Sequence, residues 1–405
     1  MAGGLSQVEA GVCREIVARA PRLLDDLRRY VETPTGPGAS ASVDELRDVM
    51  RRRLEGLGAK SSLIPGEGSP AWLGRGEPGA VPPVLLCRRS RPGAGKARIL
   101  LSGHLDTVHD PAGAFRLLSI SPDGKTATGP GCVDMKGGLV IALHALEALE
   151  STGCEASWSF ILNSDEETGS YHSDAALRAA AGEHDVGLAL EPAGPGGALI
   201  VERAGSGQFV IECRGKAAHV GRDFASGVSA VNALASCISR VAAMPRPDQG
   251  IIANVGSLEG GIAPNVVPDR ARAWGNIRYP DEAAGLALEH QLKGLETPPG
   301  ALPAVGVRTS LNRPAKPLNP PVQRLADLAR AAAEDLGQKL PLGKTGGVCD
   351  GNNLQAAGLP TIDTLGVRGG GLHTPEEWIE LPSLVERCQL LAVLVSRLTQ
   401  GAWKG

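Results

Sequence analysis

Five side chains in this sequence have the types and positions expected of metal ligands. Four of them follow short apolar runs that predict strands, and these are His104, Glu167, Glu191 and His373. The fifth, Asp134, lies where a glycine-rich segment enters a predicted helix, in the N-cap position. Because sites in open α/β sheets form beyond the carboxyl ends of the strands, we expect all five to meet at one edge. Imidazole and carboxylate groups suit zinc, cobalt or manganese.

The five candidate ligands can serve two cations if one ligand is shared. With Asp134 as the bridge, His104 and Glu191 complete the first site. Glu167 and His373 then complete the second. Two divalent cations outweigh three carboxylates by one charge, which favours loss of a proton from a water between them near neutral pH. The sequence therefore predicts a two-metal centre that activates water, with zinc as the expected metal and cobalt or manganese as alternatives.

Two further acids adjoin these ligands in the sequence. Glu166 precedes Glu167, and strand-like alternation makes the two point in different directions, so that one binds metal and the other accepts the proton of the water. Asp106 follows His104 by two residues, and its carboxylate is predicted to accept a hydrogen bond from the ring nitrogen that does not bind metal. By contrast, His109 is expected to lie at the surface.

Apolar strands alternate with helices up to about residue 200, which predicts an α/β sheet buried on both faces. From 201 to 313 the predicted order changes to strand, helix, strand, strand, helix, strand, which is the order of a ferredoxin-like unit. The earlier pattern resumes over 314–405. We therefore predict a mixed-sheet catalytic domain formed by 1–200 and 314–405, with the unit 201–313 inserted into it.

The composition argues against several classes of partner. With 41 Lys and Arg against 44 Asp and Glu the formal net charge is −3, and no block rich in Lys or Arg occurs. Without a concentrated positive patch, nucleic acid and membrane surfaces are not expected partners. No apolar run approaches the length that crosses a bilayer, and the eight cysteines show no C-x-x-C spacing. These features predict a cytoplasmic protein with reduced cysteines that acts on small molecules.

Together these segments resemble the di-zinc metallopeptidase family of glutamate carboxypeptidase, acetylornithine deacetylase, succinyl-diaminopimelate desuccinylase and aminoacylase. The resemblance covers nearly the whole chain, and the segment TLGVRGGGLHTPEE is most similar to the glutamate carboxypeptidase branch. It rests on motifs that follow the family's order: GHLDTV (103–108), GPGCVDMKGG (129–138), DEETGS (165–170), LEP (190–192), GKAAHVG (215–221) and GGLHTPEE (370–377).

The resemblance implies roles that the spacing alone leaves open. It makes Glu166 the general base and Glu167 the ligand, and it places Asp106 in the catalytic set. It also implies a cis peptide bond after Asp134 and a substrate contact at Gly370.

The resemblance further implies that the inserted unit is a lid and dimerisation domain of a homodimer. His219 would help to stabilise the oxyanion from the opposite subunit. Asn265 and Arg278 would contact substrate, with Arg278 gripping a carboxylate. Bidentate recognition of carboxylate by Arg makes that last role physically reasonable.

The predicted activity is hydrolysis of an amide bond in an N-acyl amino acid or small peptide, in the manner of a carboxypeptidase. A small-molecule deacylase of the acetylornithine deacetylase or aminoacylase type is the alternative, and the two differ in whether C-terminal glutamate or an acyl cap is released. A metal-binding scaffold without turnover would be favoured by a missing ligand, and none is missing.

Overall fold

The structure is a computed structural model of the chain and describes residues 4–74, 80–91, 97–154 and 156–403. The helices in these residues are α1 (Gln7–Ala18), α2 (Ala20–Glu32), α3 (Ser40–Gly56), α4 (Gly137–Ser151), α5 (Asp174–Gly182), α6 (Val220–Asp223), α7 (Ala230–Ala242), α8 (Glu282–Lys293), α9 (Pro320–Asp335), α10 (Asp350–Ala356) and α11 (Pro382–Thr399).

The strands in the same residues are β1 (Lys60–Ile64), β2 (Val84–Arg89), β3 (Ile99–His104), β4 (Ser119–Ile120), β5 (Thr126–Thr128), β6 (Trp158–Asn163), β7 (Val186–Ala189), β8 (Leu199–Arg203), β9 (Gly205–Arg214), β10 (Ala218–His219), β11 (Ile252–Gly260), β12 (Val266–Val267), β13 (Arg270–Tyr279), β14 (Ala304–Arg313), β15 (Leu342–Thr345), β16 (Thr361–Ile362), β17 (Gly369–Gly370) and β18 (Trp378–Glu380).

A six-stranded sheet with the order β1, β2, β6, β3, β7, β16 forms the central sheet of the residues outside 201–313. β3 runs parallel to both β6 and β7, and β16 is parallel to β7. β2 is antiparallel to its two neighbours, β1 and β6. The sheet is therefore mixed, and the prediction of an α/β protein with a mixed sheet is confirmed.

Both faces of this sheet are buried, because alternate strand residues join different hydrophobic cores. Leu101 and Leu188 belong to the core that includes residues of α1, α4 and α11. Leu100 and Ile161 belong to a second core, with residues of α5 and α10. Burial on both faces explains why these strands read as continuous apolar runs and not as alternating patterns.

A separate sheet of four antiparallel strands lies within residues 205–313, with the order β11, β13, β9, β14. Its core includes Phe209 and Ile211 from β9, Ile277 from β13, Leu234 from α7 and Leu288 from α8. Apart from the short elements β10, α6 and β12, the chain follows strand, helix, strand, strand, helix, strand between 205 and 313. This is the order that the sequence predicts there.

The chain breaks between α1 and α2 at Arg19, and Pro21 fits in the first turn of α2, where its missing N–H is not needed. One feature differs from the sequence-based expectations. The small sheet of β17, β18, β5 and β4 was not predicted, because strands of two or three residues carry too little periodicity to be recognised. No helix in the described ranges is both long enough and apolar enough to span a bilayer.

Candidate metal centre and active site

Three neighbouring strands carry candidate ligands to one edge of the central sheet. β6, β3 and β7 are parallel neighbours, so their carboxyl ends lie side by side. His104 is the last residue of β3, Glu167 lies in the turn after β6, and Glu191 follows β7. The structure thus places these three residues together, as the strand pattern predicts.

Asp134 reaches the same edge from an irregular turn that precedes α4. The helix begins at Gly137 with Lys136 as its N-cap residue, so the prediction that Asp134 is the N-cap is wrong. The Asp134 backbone is non-helical, with φ −118° and ψ 94°, and the peptide bond to Met135 is cis. The carboxylate therefore comes from the turn that connects into the helix and not from the helix end itself.

Glycines allow two close approaches that position the ligands. A Cβ on Gly138 would lie 2.1 Å from the carbonyl oxygen of Leu190, so only glycine lets the start of α4 pack against the end of β7. Gly371 has φ +69°, and a Cβ there would lie 2.4 Å from the carbonyl oxygen of Glu376. The loop that presents His373 therefore also needs a glycine.

The five candidate ligands form two groups of three that share Asp134. In the first group, His104 Nε2 lies 3.3 Å from Asp134 Oδ1 and 4.0 Å from Glu191 Oε2. In the second, His373 Nε2 lies 3.5 Å from Asp134 Oδ2 and 3.2 Å from Glu167 Oε2. Each oxygen of the shared carboxylate thus faces a different group, which is the arrangement that a bridging ligand requires.

The electrostatics of this cluster fit added positive charge. The carboxylates of Asp134, Glu167 and Glu191 are buried, and within the described residues no Lys or Arg nitrogen lies within 4.0 Å of them. Glu167 Oε1 has no hydrogen-bond partner among the described residues, and burial raises the pKa of Glu191 well above its usual range. Hydrogen bonds to Asp134 and Glu167 raise the pKa of His373 to about 10. Buried acids without a Lys or Arg beside them, together with imidazoles that can give up a proton to a metal ion, fit divalent cations.

Glu166 lies beside the cluster and pairs with an arginine that sequence reasoning missed. Its Oε1 lies 2.7 Å from Nη2 of Arg313. Burial raises the pKa of Glu166 to about 8, although Arg313 and His104 act to lower it. A buried acid with a raised pKa in a cavity is typical of a catalytic site. Arg313 stands 147 positions away and has no local motif, so no sequence signal connects the pair.

Asp106 holds the turn that carries the two neighbouring acids. Its carboxylate accepts hydrogen bonds from the backbone N–H of Glu166 at 3.3 Å and of Glu167 at 3.0 Å. Nδ1 of His104 lies 2.9 Å from the carbonyl oxygen of Asp106 but 3.5 Å from its carboxylate. The backbone carbonyl is therefore the nearer acceptor of this ring nitrogen, and the predicted contact with the carboxylate is present at the longer distance, where it raises the pKa of His104.

Glu377 is a second residue whose part in the site was missed. Its fully buried carboxylate accepts hydrogen bonds from the backbone N–H of Gly131, Val133 and Asp134 at 2.9, 2.8 and 3.0 Å. Nε2 of His109 lies 2.5 Å from the same carboxylate, and that side chain is only 12% exposed, so the surface prediction for His109 is wrong. Glu377 thus fixes the backbone that carries the shared ligand, and its place in the last motif was the only sequence signal.

A cavity of about 620 Å³ opens beside the ligand cluster. Glu166 and His373 line one part of it, and Arg278 from β13 lines another. Arg278 donates hydrogen bonds to the side-chain oxygens of Ser206 and Asn276. Within the described part of the chain, no carboxylate lies within 4.0 Å of its guanidinium, so a half-buried positive charge faces the cavity without an anionic partner.

Five predicted site residues are not among those that line this cavity, and two of them, His104 and Asp106, lie in the cluster described above. His219 is exposed at the end of β10, and Asn265 lies next to it, since its carbonyl oxygen accepts a hydrogen bond from Val220 N–H at 3.0 Å. Gly370 is half-buried in β17 and does not line the cavity, whereas Leu372, two residues later, does. The substrate contact at Gly370 stays a prediction.

Replacing Glu377 tests how the shared ligand is held. Glu377→Gln retains the size of the side chain but replaces an acceptor oxygen with an NH₂ group that faces N–H donors. We expect divalent metal affinity, measured by competition with a chelator, to fall by roughly 10- to 100-fold. Glu376→Gln is the matched control, because that neighbour is exposed, and should bind metal normally. Equal affinities for the two variants would contradict this role of Glu377.

The chain is similar in sequence and fold to several known hydrolases. The chain is 25% identical over 390 residues to carboxypeptidase G2 of Pseudomonas sp. strain RS-16, covering 94% of this chain and 90% of that protein. It is 27% identical over 389 residues to succinyl-diaminopimelate desuccinylase of Rhodospirillum centenum, covering 90% and 94%. A tripeptidase from Staphylococcus aureus shares the fold, with a TM-score of 0.74 at 22% identity over 94% of this chain and 99% of that one. Residues 100–397 match the sequence profile of peptidase family M20/M25/M40, and the chain therefore belongs to that family.

Proposed function

We propose that this metal-dependent hydrolase cleaves the amide bond of an N-acyl amino acid or a small peptide with two divalent cations at the shared Asp134. Zinc is the proposed metal, with cobalt or manganese as alternatives. The observation that carries the proposal is the pair of ligand groups that share one carboxylate beside the buried acid Glu166. Bound divalent cations supply Lewis acidity, which polarises a substrate carbonyl and lowers the pKa of the attacking water.

The chain's own residues then divide the work of binding and proton transfer. The residues that would hold the cations are His104, Asp134, Glu167, Glu191 and His373. Glu166 accepts the proton of the attacking water and later donates it to the leaving amine. Asp106 keeps the backbone of Glu166 in place through the hydrogen bond to its N–H. His219 donates a hydrogen bond to the oxyanion.

Arg278 supports a substrate that carries a carboxylate. Its guanidinium is half-buried, faces the cavity and has no acid within 4.0 Å among the described residues. Burying an unpaired charge is costly, so a substrate carboxylate that pairs with the Arg278 guanidinium would lower the free energy of both groups. This favours release of a C-terminal amino acid, in the manner of a carboxypeptidase. Release of an acyl cap from an amine is the alternative.

The inserted unit, residues 201–313, is proposed as a ferredoxin-like lid and dimerisation domain between the parts 1–200 and 314–405 of the catalytic domain. Its separate core and its own antiparallel sheet support this division. The edge strand β11 and the loop after it expose apolar side chains, with Leu258 61% and Ile262 97% accessible. We propose that a second copy of the chain covers them and that His219 and Asn265 serve the opposite subunit's cavity.

The general-base assignment predicts a separation of metal binding from turnover. Glu166→Gln should keep its divalent metal, measured by elemental analysis, because Glu166 belongs to neither ligand group. Its kcat on N-acyl amino acids and dipeptides should fall by roughly 100- to 10,000-fold, with products identified by mass spectrometry. Glu183→Gln, at an exposed ion pair, should behave as wild type. Turnover at the wild-type rate by Glu166→Gln would refute the assignment.

The dimer proposal predicts complementation between two impaired variants. A heterodimer of Glu166→Gln and His219→Ala contains one site with both groups intact, provided that His219 acts across the interface. When equal amounts of the two variants are mixed and their subunits exchange, about half of the dimers are heterodimers, each with one intact site. About a quarter of all sites should therefore be active, as judged by the activity of the mixture. Activity no greater than the sum of the separate variants, or a monomer by light scattering, would show that His219 does not act in trans.

A further inference from the structure

The last strand of the inserted sheet ends on a buried arginine. Arg313 closes β14, where it pairs with Ser206 of β9, and its side chain is 2% exposed. Among the described residues, the guanidinium donates hydrogen bonds to four residues, none of which belongs to that sheet: Glu166, Ser170, Asp350 and Asn353. The final residue of the inserted sheet therefore reaches into the unit that holds the candidate ligands.

One end of the guanidinium holds Glu166 from two directions. Nη2 of Arg313 donates to Oε1 of Glu166 at 2.7 Å, to the carbonyl oxygen of Glu166 at 3.2 Å and to Oγ of Ser170 at 2.8 Å. The other end is anchored in turn, since Nη1 donates to Asp350 at 2.8 Å and to Asn353 at 3.0 Å. A planar fork fixed at both ends has little freedom to swing, so it fixes the direction of the carboxylate that it contacts.

Asn312, the residue before Arg313, holds the same turn at its other end. Its side-chain amide donates to the carbonyl oxygen of Gly169 at 2.8 Å. Its own carbonyl oxygen accepts a hydrogen bond from Asn353 at 3.0 Å. Two consecutive residues at the end of β14 thus hold the turn 166–170 by several hydrogen bonds. The attachment of this turn to β14 therefore does not depend on one contact.

We propose that Arg313 is a positioning residue for Glu166: it holds the carboxylate in the direction from which it reaches the attacking water, and it ties that direction to the position of the inserted sheet. This inference rests on the proposed function, because it takes Glu166 as the general base. A misplacement of about 1 Å at a reacting group costs roughly 100-fold in rate. Replacing the Arg313 guanidinium should therefore lower kcat while the metal ligands keep their positions.

A double-mutant cycle tests this on the full-length, metal-loaded chain. Arg313→Lys and Arg313→Gln are each made in the wild type and in Glu166→Gln. In the wild-type background we expect kcat to fall by roughly 10- to 100-fold, with KM within about twofold and metal content unchanged. In the Glu166→Gln background we expect no further fall, because the group that Arg313 positions is already gone.

The outcomes separate the possible roles of Arg313. The same fold-loss in both backgrounds would overturn the proposal in favour of a general structural role. A rise in KM without a fall in kcat would overturn it in favour of substrate binding. If Arg313→Gln does not fold, Arg313→Lys keeps the charge and carries the test. Full turnover by Glu166→Gln alone would instead mark a failure of the proposed function.

Arg387 provides a matched control for the loss of a buried arginine. Its side chain is also buried, donates to the carbonyl oxygen of Gly197 and makes no contact with Glu166 among the described residues. Arg387→Lys should leave kcat within about twofold of the wild type, whatever it does to stability. A fall in kcat as large as that of Arg313→Lys would show that the effect is not specific to the contact with Glu166.

Discussion

The site depends on the burial of three carboxylates at one sheet edge where, among the described residues, no Lys or Arg lies within 4.0 Å of them. Buried negative charge is costly unless it is neutralised, and the candidate partners of Asp134 within the cluster are two imidazoles. Cations bound at this edge would neutralise the buried charge, and metal binding would then be coupled to local folding. The close approach at Gly138 and the hydrogen bonds to Glu377 show how the backbone is shaped to keep the shared ligand in place.

Two adjacent acids acquire different chemistry because they have different neighbours. Glu167 faces the imidazole of His373, whereas Glu166 faces the guanidinium of Arg313. Asp106 accepts a hydrogen bond from the backbone N–H of each acid, so one carboxylate orients both. The proposed division of roles, with Glu167 as a ligand and Glu166 as a proton acceptor, therefore rests on contacts across the fold and not on the two residues themselves.

The sequence predicts which candidate ligands meet at the sheet edge because most of them follow strands whose apolar runs are easy to recognise. Parallel neighbours then bring His104, Glu167 and Glu191 to one edge. The residues that were missed, Arg313 and Glu377, act over long separations in the chain through single side chains, and no periodicity marks such contacts. The N-cap prediction for Asp134 was wrong because the turn before α4 is irregular.

The central claim is tested most directly by a crystal structure of the zinc-loaded chain with anomalous scattering recorded at the zinc edge. The account predicts two anomalous peaks, one between His104 and Glu191 and one between Glu167 and His373, with one oxygen of Asp134 directed at each. A single peak, or peaks whose ligands do not include Asp134, would contradict it.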